Sequence, residues 1–374
     1  MMTSNRVILA AGGTGGHIIP ALAVSTGLLK NGIDCKFFSD KRGLSVIKNV
    51  TPGQQVFNIS AGSPFSGNIF QRLIAAIKLC FGVIQSLFYI IRFKPFCVIG
   101  FGGYPSAPPL IAANICRLPS LLHEQNARVG RANLFLAKRV KVMLISWENS
   151  RPLPTDTPIT LTGLPVRSIL FELPNYKAKR EFSIERPCHI LITGGSLGAE
   201  AFAKIIPEVI STLPKKIQKS IVITQQVRED QLSKLESVYS SISIRHFCST
   251  FFDDMPNQMA KADIIISRAG AASIAEIAAI GRAALLIPFP YSLDDHQIYN
   301  ARSLADKNAA IILHQKEIET DPSILAKELL SLIKNPVKCE KLAVKARNLA
   351  HKHALNDIIS SIKSFQHMNS GGIR

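Results

Sequence analysis

A chain of 374 residues with 47% apolar and 19% charged residues is a folded protein, too long for one ordinary core and suited to two α/β domains. Its formal charge of +18 is uneven: residues 1–165 hold 17 Lys and Arg against 5 Asp and Glu, which points to acidic lipid headgroups or a phosphorylated substrate, although a generally basic proteome gives the same excess. The sequence has no zinc-finger spacing, RNP-type aromatic strand or lysine-rich tail, so nucleic acid is not expected, and seven scattered cysteines without a C-x-x-C exclude a disulfide or zinc framework.

In chain order, Val7–Ala11 reads as a strand, too short for a secretion signal, running into the loop Gly12-Gly-Thr-Gly-Gly-His17. A helix is predicted over Pro20–Lys30 and a strand over Cys35–Ser39. Residues 69–91 are apolar and interrupted by Arg72 and Lys78. The uncharged part, Leu79–Ile91, falls short of the ~20 residues of a spanning helix. The expectation is a helix whose main role is core packing, with bilayer contact through one face and a basic flank as a second role. A strand at Cys97–Gly100 ends in Gly102-Gly-Tyr104, a short helix covers Leu110–Cys116, and strands follow at Ser120–His123 and Val142–Ser146. Ser150–Pro174, rich in Pro and Thr, reads as a linker and hinge. The pattern then restarts. Strands are predicted at His189–Thr193, Ser220–Thr224, Ser243–Phe247, Asp263–Ile266 and Ala284–Pro288, helices at Ala199–Leu213, Asp230–Tyr239 and Ser273–Ile280, and helical structure over Pro322–Phe365. Such alternation implies parallel sheets covered by helices.

Three glycine clusters follow strands: Gly12–Gly16, Gly100–Gly103 and Gly194–Gly198. A glycine turn that opens a helix exposes backbone N–H groups at the positive end of the helix dipole and suits a phosphate. The first cluster fails the G-x-G-x-x-G spacing and lacks a P-loop Lys. His17 reads as a general base, a substrate hydrogen-bonder or a helix-terminus histidine. His123-Glu-Gln-Asn126 sets four polar side chains at a strand end, where ligands bind in open α/β sheets. Asn126 suits a sugar hydroxyl, and a capped helix start is the alternative for Glu124. Glu276, on an otherwise apolar helix, needs a partner: a ribose diol, or a cation such as Arg268 or Arg282. Gln297 suits a sugar hydroxyl, and Asp254 a helix cap. A dinucleotide-dependent oxidoreductase would use Asp40 for ribose, but the glycine spacing is wrong for it.

In order over nearly the whole chain, Gly12–His17, Gly102–Tyr104, His123–Asn126, Gly163–Arg167, Gly194–Ala199, Ser267–Glu276 and Asp295–Gln297 resemble the MurG family of peripheral membrane transferases. Members move N-acetylglucosamine from UDP-GlcNAc to the lipid-linked muramyl-pentapeptide of peptidoglycan synthesis. The resemblance implies a GT-B fold, two Rossmann-like domains facing a cleft. Residues 1–165 would form the acceptor and membrane-side domain, 166–345 the donor domain, and 346–374 a helix returning to the first. It implies His17 as candidate base, with Glu276 on the ribose completing the catalytic set. Ser196 and Arg167 would hold the diphosphate, Phe252 would lie beside uracil, and Ala271, Ala272, Ser273, Ile274 and Ala275 would border the donor. Asn126 and Gln297 would address the sugar, while Thr14, Gly15 and Gly16 touch a diphosphate and Tyr104 lines the substrate site. No cofactor or resident metal is implied, since a helix N-terminus and Arg167 could carry the leaving charge. The partners implied are UDP-GlcNAc, a polyprenyl-diphosphate acceptor and an anionic membrane surface at the cytoplasmic face of the inner membrane. Phe252, where an aliphatic is expected, and His296, where some members carry an amide, depart from the pattern. Another glycolipid glycosyltransferase, with a diacylglycerol acceptor, is the alternative.

Overall fold

Short β-branched runs alternating with longer apolar-striped segments build two parallel sheets in the computed structural model, which describes residues 5–366 except 14, 52, 64–67, 179–180 and 196–199. The chain divides into two compact units, residues 1–165 with 353–374, and residues 166–352.

The first unit carries strands β1 (Arg6–Ala10), β2 (Asp34–Ser39), β3 (Val56–Asn58), β4 (Cys97–Gly100), β5 (Ser120–Glu124), β6 (Val142–Ile145) and β7 (Ile159–Leu161), all parallel, in the order β3-β2-β1-β4-β5-β6-β7. Its helices are α1 (Gly15–Lys30), α2 (Lys41–Val50), α3 (Ile69–Phe93), α4 (Ala107–Ile115) and α5 (Arg131–Ala137). Alternate residues of each strand face opposite ways. Val7 and Leu9 therefore pack with Ile18 and Leu28, whereas Ile8 and Ala10 pack with Leu110 and Phe93. Because β1 is flanked by β2 and β4, the loops after β1 and β4 diverge at the point where strand order reverses, the place where open α/β sheets bind ligands.

The second unit comprises α6 (Ile169–Glu172), β8 (Cys188–Thr193), α7 (Glu200–Thr212), α8 (Lys215–Lys219), β9 (Ile221–Gln226), α9 (Leu232–Ser241), β10 (Arg245–Ser249), α10 (Met255–Lys261), β11 (Ile264–Ser267), α11 (Ala271–Ile280), β12 (Ala283–Leu286), α12 (His296–Ala305), β13 (Ile311–Ile312), α13 (Gln315–Thr320), α14 (Ser323–Lys334) and α15 (Pro336–Asn348). Its sheet runs β10-β9-β8-β11-β12-β13 and reverses order at β8 and β11. The last helix, α16 (Ala354–Lys363), returns to the first unit and packs on α1. At Gly27 the tips of Ile359 and Leu355 fill the space a Cβ would take, 2.5 Å from Ile359 Cδ1.

Three expectations are corrected. α1 begins at Gly15, so Pro20 lies inside the helix. The carbonyl it leaves unbonded, that of Gly16, belongs to an exposed first-turn residue where water can satisfy it. Ser150–Pro174 is more than a linker: the boundary between the two units falls inside it, after Pro165, but Ile159–Leu161 pairs with β6 as the sheet edge, a position that tolerates the flanking prolines. Most of the apolar surface of α3 is not in the core. Ala75, Gly82, Ser86, Ile90 and Phe93 face inward, while Phe70, Leu73, Ile77, Phe81, Ile84, Phe88 and Ile91 form a stripe more than half exposed. The helix is long and apolar enough to cross a bilayer by length and composition, yet one side is packed against α4.

Candidate active site

In the first unit the residues singled out from the sequence converge on the C-terminal ends of β1, β4 and β5. Thr14 lies outside the described residues. Gly15 and Gly16 form the first turn of α1, whose unbonded N–H groups and positive dipole end favour an anion. His17 follows, half-buried, and its Nδ1 lies 2.9 Å from Gln125 Oε1. Tyr104 opens a short 3-10 turn after β4, and Asn126 follows β5, half-buried.

Two acidic residues here are structural. Asp40 Oδ1 accepts from Gly43 N at 3.0 Å, capping α2, and from Gly13 N at 3.2 Å, holding the glycine loop against the end of β2. That oxygen is therefore engaged in shaping the loop. Glu124 is buried. Its Oε1 accepts from Asn126 N (2.9 Å) and Asn126 Nδ2 (3.3 Å), and its Oε2 from Gly130 N (3.0 Å) and Asn133 Nδ2 (2.7 Å). It fixes the turn that carries Asn126 and the start of α5.

In the second unit the site collects where β8 and β11 end. Ser196 lies outside the described residues. Gly195 (φ +76°) begins the loop after β8, and its N–H donates to Thr193 Oγ1 at 3.3 Å. A Cβ built on Gly195 would sit 4.0 Å from Ser273 Oγ, which brings this loop beside the N-terminus of α11. Ala271, Ala272 and Ser273 occupy the first turn of α11, where backbone N–H groups have no intrahelical partner. Ile274, the next residue, is fully buried and its N–H donates to Gly270 O, so it supports the turn from beneath. Ala275 is likewise buried.

Glu276 has a cationic partner, but neither Arg268 nor Arg282. Arg167 Nε and Nη2 reach Glu276 Oε1 at 3.0 and 2.8 Å. Burial raises the Glu276 pKa above the usual carboxylate value, and the Arg167 guanidinium opposes that rise. Arg268 instead donates to Ile287 O, Pro288 O and Gln315 Oε1, and Arg282 to four backbone carbonyls. Gln297 Oε1 accepts from Ala269 N (3.2 Å) and Phe289 N (2.9 Å), so the group left to address a ligand is its Nε2 amide, a donor. Phe252 is buried with its ring edge-on to Phe247, so its side chain is taken up in packing. Asp254 stands at the N-cap place of α10, but its carboxylate accepts from the Gln258 side chain and not from the helix backbone. A cavity of about 1000 Å³ within this unit is lined by Gly194, Lys204, Arg228, Arg268, Phe289 and Gln297.

Residues 7–145 match the glycosyltransferase family 28 N-terminal domain and residues 189–362 the glycosyltransferase family 28 C-terminal domain. A Paramagnetospirillum magneticum protein named UDP-N-acetylglucosamine–N-acetylmuramyl-(pentapeptide) pyrophosphoryl-undecaprenol N-acetylglucosamine transferase is 37% identical over 356 residues, 93% of each chain. A Bradyrhizobium diazoefficiens protein of the same name is 35% identical over 93% of this chain and 94% of its own. The crystal structure of Acinetobacter baumannii MurG superimposes with a TM-score of 0.78 at 30% identity, over 96% of this chain and 99% of that one.

Proposed function

The chain belongs to glycosyltransferase family 28, and from that premise we propose that it is an inverting hexosyltransferase that moves N-acetylglucosamine from UDP-GlcNAc to the muramyl 4-hydroxyl of a polyprenyl-diphosphate-linked muramyl-pentapeptide. The product is the disaccharide lipid of peptidoglycan assembly, which ties the activity to cell-wall biogenesis, shape and division. The observation that carries the reading is the 37% identity over 93% of the chain to a transferase of that name, with each family domain falling on one Rossmann-like sheet.

The second unit holds the donor. Glu276 accepts the two ribose hydroxyls, the N–H groups at the start of α11 and the Arg167 guanidinium receive the diphosphate, and Gln297 donates through Nε2 to a sugar hydroxyl. The backbone at Phe252 borders uracil. The first unit takes the acceptor, with Gly15 and Gly16 at a diphosphate and Tyr104 lining the substrate site, while Asn126 joins Gln297 in addressing the transferred sugar. His17 Nε2 removes the proton of the acceptor hydroxyl as its oxygen attacks the anomeric carbon. The bond from that carbon to the UDP oxygen breaks on the opposite face, and its electron pair leaves with UDP. Fixed N–H dipoles and a guanidinium aimed at that oxygen stabilise the charge as it develops and need little reorganisation.

The outward stripe of α3, flanked by exposed Arg72, Lys78 and Arg92, supports peripheral docking on the anionic cytoplasmic face of the inner membrane, where a polyprenyl acceptor resides. The test is transfer of labelled sugar from UDP-GlcNAc and UDP-GalNAc to the muramyl lipid and to diacylglycerol. Transfer only from UDP-GlcNAc to the muramyl lipid is expected. Preference for diacylglycerol would overturn the acceptor, and no transfer to either would overturn the reading.

A further inference from the structure

Between the buried interior of the first unit and His17 runs a chain of hydrogen bonds whose donors and acceptors are fixed in one direction. His123 Nε2 lies 3.0 Å from Gly163 O. A carbonyl oxygen only accepts, so the proton of His123 is on Nε2 and its Nδ1 carries a lone pair. Burial pushes the His123 pKa down to about 4, which keeps the ring neutral near pH 7. One end of the Gln125 amide lies 3.1 Å from His123 O and 3.1 Å from His123 Nδ1. Both are acceptors, so that end is the NH2 group, and the end facing His17 is the oxygen. His17 Nδ1, 2.9 Å from that oxygen, must donate. The ring is also held by shape. Gly102 has φ +88°, and a Cβ there would come within 3.2 Å of both His17 Nδ1 and Cε1. A Cβ on Gly103 (φ +73°) would come within 3.5 Å of Cδ2. Only glycine gives this backbone at this distance from an imidazole.

We propose that His123 and Gln125 are positioning residues that lock His17 in its Nδ1–H tautomer, leaving the Nε2 lone pair as the one site where the ring can take a proton. Without Gln125 the neutral ring can carry its proton on Nε2, and the edge that must accept becomes a donor. The chain contains no carboxylate, so it orients His17 through neutral dipoles alone. This rests on the reading of His17 as the base.

The experiment reads tautomer and turnover separately. Long-range 1H–15N spectra of protein labelled in its nine histidines, with His17 assigned by its loss in His17→Ala, should show a protonated Nδ1 and an unprotonated Nε2. The opposite tautomer in the unsubstituted protein would overturn the proposal whatever the variants do. Gln125→Leu should shift His17 towards Nε2–H and lower kcat by about 10- to 10³-fold, with the UDP-GlcNAc KM within about threefold. His123→Asn and His123→Leu both lose the bond to Gly163 and both keep the main-chain oxygen that accepts from the Gln125 NH2, but only Asn also supplies a side-chain acceptor in place of Nδ1. The Asn variant should therefore retain most of the turnover that the Leu variant loses, and equal losses would refute the orienting role. If the tautomer is as stated and His17→Ala keeps its kcat, the assignment of the base falls and the lock has no catalytic consequence.

Discussion

Replacing Glu276 by Gln separates binding from stability in a way that follows from its surroundings. The carboxylate is three-quarters buried and held at one oxygen by Arg167, whose side chain is 44% exposed. Burial raises its folded pKa above the unfolded value. Between those two values the folded state holds more protons, so stability falls as pH rises through the window, and the penalty is complete above the folded pKa. Gln removes that penalty and also the ion pair, which at this exposure contributes ~1 kcal/mol or less. The two changes oppose each other, so thermal stability at pH 8 should move by about 3 °C or less in either direction. Donor binding should behave differently. Hydrogen bonds to a charged group are worth ~1.5–3 kcal/mol each, and an amide keeps one acceptor without the charge. A loss of ~2–3 kcal/mol corresponds to about 30- to 150-fold weaker UDP-GlcNAc, measurable by calorimetry. An affinity within threefold of the unsubstituted protein, or a melting point lowered by about 10 °C, would refute the reasoning and make Glu276 a structural residue.

Glu124→Gln turns an NH2 group towards backbone and side-chain donors, a loss of ~2–4 kcal/mol that should lower the melting temperature by about 5–15 °C in differential scanning calorimetry. Phe81→Ser with Phe88→Ser removes two exposed rings from the α3 stripe. Sedimentation with anionic vesicles should show binding weakened at least about tenfold, with folding unchanged, and raising the salt should detach the unsubstituted protein. Because His123 stays neutral in the fold down to about pH 4 while an unfolded histidine protonates near pH 6.5, stability should fall by up to ~3 kcal/mol as pH drops between those values. Denaturant titrations of His123→Asn should show that slope reduced.

The sheets were legible because the buried strands are short apolar runs, most of them closed by glycine or a polar cluster, and Cys97–Gly100 falls where its residues place it. The glycine loops were legible for the same reason, since they punctuate strand ends. What the chain conceals is pairing at long range. Nothing local to Glu276 says that its cation stands 109 residues earlier while Arg268 and Arg282 turn to carbonyls. Gln125 read as one amide of a tetrad, and its part emerged only when the fold brought it to a ring 108 residues away. α3 misled because its inner and outer faces are both apolar. Periodicity cannot tell which stripe faces inward, and the small residues Ala75, Gly82 and Ser86 were the one hint that the bulky ones point out. That one oxygen of Asp40 takes two N–H groups, capping α2 and tying down the glycine loop, is likewise invisible in the sequence.

The return of α16 to the first unit has a consequence for biogenesis. Ile358, Ile359 and Ile362 belong to the same apolar cluster as Val7 and Leu9. At a translation rate of ~5–20 residues per second, the first strand waits roughly 20–70 s for the helix that completes its cluster. The second unit is contiguous and needs no segment made after it. The half made first therefore finishes last, and during that interval the burden on holdase chaperones falls on the amino-terminal segment.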